Sequence, residues 1–138
     1  MQIKDNISFV GKPFPLEEAE DHFRKLKETG ENSFKLAVHW EAIEHEGPGI
    51  YDEAYLAYLR KILITAEKEG ISVYIEPHHY DAAAMCSLFF AEKSYAPDLQ
   101  IESENIQDWL QSHYIAAFKH AQRRLKNCKA ISGWGNIS

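Results

Sequence analysis

At 138 residues, with 45% apolar and 26% charged side chains, the chain has room for one domain with a substantial core and is far from the composition of a disordered segment. A formal net charge of −6 argues against a nucleic-acid partner, which would be held through clustered cations. No stretch approaches the ~20 apolar residues of a transmembrane segment, and MQIKDNISFV lacks the basic-then-apolar pattern of a signal peptide, so a cytoplasmic protein is expected unless a leader lies upstream.

From Pro15 to Gly30, Leu16, Ala19, Phe23 and Leu26 recur at helical spacing among charged residues, which predicts an amphipathic helix with a glycine stop. The β-prone run Ser33 to Trp40 predicts a strand that ends in a Glu-rich loop with Gly47-Pro48-Gly49. Asp52 caps the next predicted helix, on which Leu56, Leu59, Ile62, Leu63 and Ala66 form one stripe before Glu69-Gly70. Ile71 to Glu76 is a second strand, stopped by Pro77 and delivered into His78-His79-Tyr80. A short apolar helix is expected over Asp81–Lys93, ended by Ala96-Pro97-Asp98, and a longer one over Ser103–Lys126. Ala130 to Trp134 reads as a third strand. The alternation points to βαβ units around a parallel sheet, in which ligands gather at the carboxyl ends of the strands.

Those ends offer His39, Trp40 and Glu41, then His78, His79 and Tyr80, then Trp134 and Asn136. Aromatic faces stack on the C–H surfaces of sugar rings, and His, Glu and Asn exchange hydrogen bonds with hydroxyls, so the mixture suits a carbohydrate better than a phosphate. Singly, each residue is better explained by structure, Trp40 and Trp134 as core and His39 as a hydrogen-bonded strand histidine, and only their joint location favours a site. His39, Glu41, His45, His78 and His79 are also metal-ligand types, but no HExxH or His-x-His spacing occurs and no metal is expected. Neither a Walker loop, a GxGxxG nor a Gly-x-Ser-x-Gly elbow is present, so no nucleotide cofactor and no nucleophilic serine is expected. Cys86 and Cys128 read as reduced thiols, His113 and His120 as structural or solvated, and the basic group Arg123, Arg124, Lys126 and Lys129 as the closing turn of a helix.

Taken together, Val10-Gly11-Lys12-Pro13-Phe14-Pro15-Leu16, the run Trp40-Glu41-Ala42-Ile43-Glu44-His45-Glu46-Gly47-Pro48-Gly49-Ile50-Tyr51-Asp52, and Gly70-Ile71-Ser72-Val73-Tyr74-Ile75-Glu76-Pro77-His78 resemble glycoside hydrolase family 5. Leu88-Phe89-Phe90-Ala91 and Asn105 to Gln111 continue the similarity, which covers most of the chain and is specific to the endoglycoceramidase-like and sterylglucosidase-like branch.

The resemblance implies an eight-stranded barrel that hydrolyses β-glucosidic bonds of glycolipids with a paired acid/base and nucleophile. It also implies that this chain is a partial (β/α) TIM-type barrel, one domain over 1–138, contributing about the second to fourth units. In the family the acid/base sits in an Asn-Glu-Pro motif after the fourth strand. Ile131 to Ser138 resembles the approach to it, with Ser138 about where that Asn stands, so no catalytic residue is expected in these 138 residues. Lys35 takes the place of a strand Arg, Glu76 that of an Asp, and a substrate loop after His78 is expected to be deleted near Asp81–Ser87. Lys35, Trp40, Glu41, His78 and Asn136 are the expected substrate-binding residues, for a carbohydrate or glycolipid. The alternative is a non-catalytic binding remnant. Open strand edges further imply self-association.

Overall fold

The computed structural model describes residues 12–78, 82–90, 96 and 99–137. His79, Tyr80, Asp81 and Ser138 lie outside these residues, as do most of the expected helix end near Ala96-Pro97-Asp98 and, among the resembling motifs, Val10-Gly11.

Apolar periodicity sets the first helix. α1 (Ala19–Glu28) is entered through a 3-10 turn at Leu16–Glu18 and buries Ala19 and Phe23, leaving its charges outside. β1 (Ser33–His39) alternates, with Leu36 and Val38 buried between less covered neighbours. It runs directly into a single turn, α2 (Trp40–Ile43). α3 (Glu53–Lys68) starts where Asp52 Oδ1 accepts the Tyr55 N–H at 2.9 Å, and it buries the whole predicted stripe from Leu56 to Ala66. Gly70, at φ +75°, turns the chain back into the sheet, a conformation open to glycine without strain.

β2 (Ser72–His78) buries Val73 and Ile75. α4 (Ala82–Phe89) follows, then a two-residue antiparallel pair, β3 (Gln100–Ile101) with β4 (Glu104–Asn105). α5 (Ile106–Arg124) is capped by Asn105, whose side chain accepts the Gln107 N–H at 2.8 Å. β5 (Ile131–Trp134) ends the described structure.

The three long-range strands pair in parallel in the order β1-β2-β5. Leu36 faces Ile75 in register, and both belong to the core that the sheet shares with Phe23, Ile62 and Phe118 of the helices. Alternation therefore sends Lys35, Ala37 and His39 of β1, with Tyr74, Glu76 and His78 of β2, to the opposite face. There Lys35, Tyr74 and His78 are exposed. In a closed barrel this face lines the interior.

Two expectations need correction. Pro77 does not stop β2: Val38 and Pro77, then His39 and His78, continue the register with β1. The Ile75 carbonyl accepts from Gly135 N on the β5 side. Pro77, two residues on, faces that same side, where ladder pairing has ended at Ile75 and Trp134, so its missing N–H breaks no bond. The long helix also starts later than Ser103, because Glu102 and Ser103 adopt φ of +54° and +69° to turn the β3–β4 hairpin.

Candidate functional site

The carboxyl ends of β1 and β2 bring His39 and His78 side by side, with ring centroids 5.3 Å apart and an interplanar angle of 52°. Glu76 Oε1 lies 3.7 Å from His78 Nε2. Burial lowers the His39 pKa from its ordinary value, the neighbouring His78 lowers it further, and Glu41 partly offsets both. His39 is thus held toward its neutral form beside a carboxylate-flanked His78. After β5, Gly135 N donates to the Ile75 carbonyl at 2.7 Å, which lays the chain against Pro77 and Glu76 and leaves Asn136 exposed next along it. Imidazole, carboxylate and amide groups at neighbouring strand ends can both donate to and accept from a polyhydroxylated ligand.

The expected binding residues separate here. His78 and Asn136 are exposed, and Glu41 is half-buried in the turn just after β1. Lys35 shares the open face but stands four residues before His39, about 13 Å along the strand at ~3.3 Å per residue. Trp40 departs from the expected sugar-stacking role. Its ring is only 3% exposed, edge-on to Phe89 at 5.9 Å and to Tyr114 at 5.5 Å, so it offers no free face. Trp134 likewise pairs with Ile75, whose side chain points into the helix layer, and so belongs with the core side of the sheet.

One residue with no distinguishing sequence signal is Glu44, a fully buried carboxylate. Trp40 Nε1 donates to its Oε1 at 2.7 Å, and Gly49 N donates to its Oε2 at 2.6 Å. His113 Nδ1 of α5 approaches Oε2 at 3.3 Å. The only hint in the chain is the four-residue spacing from Trp40, and Glu41 and Glu46 compete with it. His113 is therefore structural, and His120 is too: it stacks on Tyr51 at 4.3 Å and meets Glu53 at 2.7 Å. Cys86 is buried and Cys128 half-buried, with Arg60 Nη1 3.5 Å from the Cys128 Sγ. Among the described residues no group of three or more His, Cys, Asp or Glu side chains could hold a metal ion, and no helix is long and apolar enough to cross a membrane.

Comparison with known proteins gives a consistent picture. The cellulase pattern (glycosyl hydrolase family 5) matches residues 2–127. A glucosylceramidase of Rhizopus delemar is 31% identical over 182 residues, covering 91% of this chain and 27% of that protein. Those 182 residues exceed the 138 of the chain, so the relative carries segments absent here. An ergosteryl-beta-glucosidase of Saccharomyces cerevisiae is 27% identical over 88% of the chain and 25% of its own length. The chain thus spans about a quarter of these relatives.

Among solved structures, sterylglucosidase 1 of Cryptococcus neoformans superposes with a TM-score of 0.73 at 24% identity, over 93% of this chain and 27% of that one. A GH5_18 protein of Bifidobacterium longum subsp. infantis does so at 0.64 and 12% identity, over 91% and 29%. The three-stranded parallel sheet with its flanking helices is a partial (β/α) barrel, and the chain belongs to the cellulase family, glycosyl hydrolase family 5.

Proposed function

We propose that this chain forms one wall of a β-glucoside site, that of a hydrolase acting on glucosylated lipids, and that its 138 residues alone bind the sugar without cleaving it. The carrying observation is the His39–His78 pair with Glu76 beside it, at the open ends of adjacent parallel strands. His78 and Glu76 supply hydrogen bonds to sugar hydroxyls, Glu41 and Asn136 flank them, and Lys35 contributes charge deeper along the same face. Trp40 supports the site from beneath rather than stacking on the ligand. The glucosyl unit is what the names glucosylceramidase and ergosteryl-beta-glucosidase have in common, which supports recognition of the sugar over the lipid.

Retaining hydrolysis needs two carboxylates about 5–5.5 Å apart across the scissile bond. Among the described residues, the carboxylates at the open strand ends are Glu41, in the turn just after β1, and Glu76, within the neighbouring β2, both on one wall. This supports binding without turnover. Calorimetric titration with octyl β-glucoside is expected to show binding that His78→Ala weakens by about tenfold, the loss of one or two good hydrogen bonds. An aryl β-glucoside is expected to stay intact. Turnover that disappears in Glu41→Gln would overturn the non-catalytic half of the proposal, and absence of any glucoside binding would overturn the rest.

A further inference from the structure

We infer that Glu44 is a positioning residue of this sugar site, holding the turn after β1 in its binding geometry; the inference rests on the reading proposed above. α2 is a single turn, too short to be stable by its own hydrogen bonds. Its first residue, Trp40, lies between His39 and Glu41, so whatever fixes the Trp40 ring fixes both of them.

Glu44 does this from inside the core. One carboxylate oxygen takes the Trp40 indole N–H, and the other takes the Gly49 amide and faces His113 Nδ1. Gly49 is at φ +79°, where a side chain would be strained, so the loop is shaped to aim its N–H inward. The His113 ring in turn packs against Trp109, centroids 3.9 Å apart and tilted by 32°, on a helix fixed by Trp109, Tyr114 and Phe118 in the core. Three parts of the fold meet on one side chain: the turn at the strand end, the glycine loop and α5.

A buried carboxylate is costly unless every lone pair is used, and an apolar residue of the same volume would fill the space at less cost. What the carboxylate adds is direction, because it accepts at fixed angles from donors on three segments. A glutamine cannot replace it, since its amide N–H₂ would face either the indole N–H or the Gly49 N–H, donor against donor.

The test uses the full chain, ¹⁵N-labelled, with hydrogen exchange of the Trp40 indole N–H followed by NMR and octyl β-glucoside affinity followed by calorimetry. Glu44→Gln is expected to speed Trp40 indole exchange and to weaken glucoside binding, each by about tenfold, as for loss of a hydrogen bond to a charged group. His113→Phe keeps a ring packed against Trp109 and removes one donor. It is expected to fold and to weaken binding by about threefold, and it decides the matter if Glu44→Gln does not fold. Ile62→Val, a core change nearly three helical turns beyond the Asp52 cap of α3, serves as the control for general loss of stability and is expected to leave affinity unchanged. Affinity within about twofold of the parent in both variants would overturn the inference, whatever the indole does. If the parent chain binds no glucoside, the sugar-site reading fails and the inference with it, and fast indole exchange in Glu44→Gln then marks the carboxylate as purely structural.

Discussion

His39 and His78 are register partners at the ends of β1 and β2, with their rings 5.3 Å apart, and the His39 pKa is held below its ordinary value. Burial is the main cause, with His78 adding to it and Glu41 opposing. In the unfolded chain His39 takes up its proton near 6.5, and in the folded chain only at lower pH. Between those two values the unfolded state binds more protons, so stability rises with pH there. This contribution is complete above about 6.5 and is lost as pH falls toward the lowered value. Urea unfolding midpoints from pH 7.5 down to pH 5 are expected to decline less steeply in His39→Gln than in the parent. Parallel declines would remove this account of the pair.

Gly133 and Gly135 flank the open face, and they are expected to respond differently to alanine. A Cβ at Gly133 would sit 3.2 Å from Tyr74 Cε1, but that ring is 41% exposed and can swing aside. A Cβ at Gly135 would sit 3.1 Å from Pro77 Cδ and 3.6 Å from both the Glu76 Cα and the Ile75 carbonyl oxygen. Backbone and a proline ring do not yield. Gly135→Ala is expected to cost about 1–3 kcal/mol, as overpacking does, and Gly133→Ala distinctly less. Thermal unfolding of the two variants side by side measures the order, and equal costs would contradict it.

The helices were legible because their information is local. Leu56, Leu59, Ile62, Leu63 and Ala66 repeat at helical spacing, and all five are buried in α3. The strand ends on which the proposed site is placed were legible for a topological reason, since βαβ alternation implies parallel strands, and these gather ligands at their carboxyl ends. Which side chains face it was harder to read. Trp40 and Glu41 are adjacent in sequence, yet one is core and the other is half-buried at the rim. The orientation of Trp134 depends on a register shift against β2 between Val73 and Tyr74, which no pattern in the strand announces. Glu44 was illegible because one of its partners, His113, lies 69 residues away. The β3–β4 hairpin was missed because Glu102 and Ser103 hold positive φ without the Gly or Asn that signals such turns.

Asp52 joins two duties in one carboxylate, capping α3 through the Tyr55 N–H at 2.9 Å and meeting His45 Nε2 at 2.8 Å. Burial pushes its pKa up, but the His45 hydrogen bond and the Tyr55 and Ala54 amides together outweigh burial, so the net direction is down. A depressed carboxylate stabilises the fold above its ordinary value of 3.8, and the contribution is lost as pH falls through the depressed one. Asp52→Ala is expected to lose about 1 kcal/mol at neutral pH, as helix caps do. Asp52→Asn retains an acceptor for Tyr55 but not the charge, so it is expected to fall between the two at neutral pH and to converge on the parent in acid. Thermal melts at neutral and acidic pH test both, and a pH-independent gap between Asp52→Asn and the parent would rule out the charge.

Self-association is expected from the sheet itself. Among the described residues β1 and β5 each have one strand neighbour, so each presents a row of backbone groups along its outer edge. β1 is the longer, at seven residues against four, and its open face carries one charged residue, Lys35, near its start. A single edge lysine near one end is weak protection for a strand of that length. We expect the mass measured by light scattering to rise with protein concentration. Edge pairing and face-to-face packing predict different responses to Tyr74→Glu, which places a charge in the middle of the open face. Pairing along β1 leaves the association intact, whereas packing of two open faces is abolished by the two opposed carboxylates. A single monomeric mass at the highest attainable concentration would dismiss both arrangements.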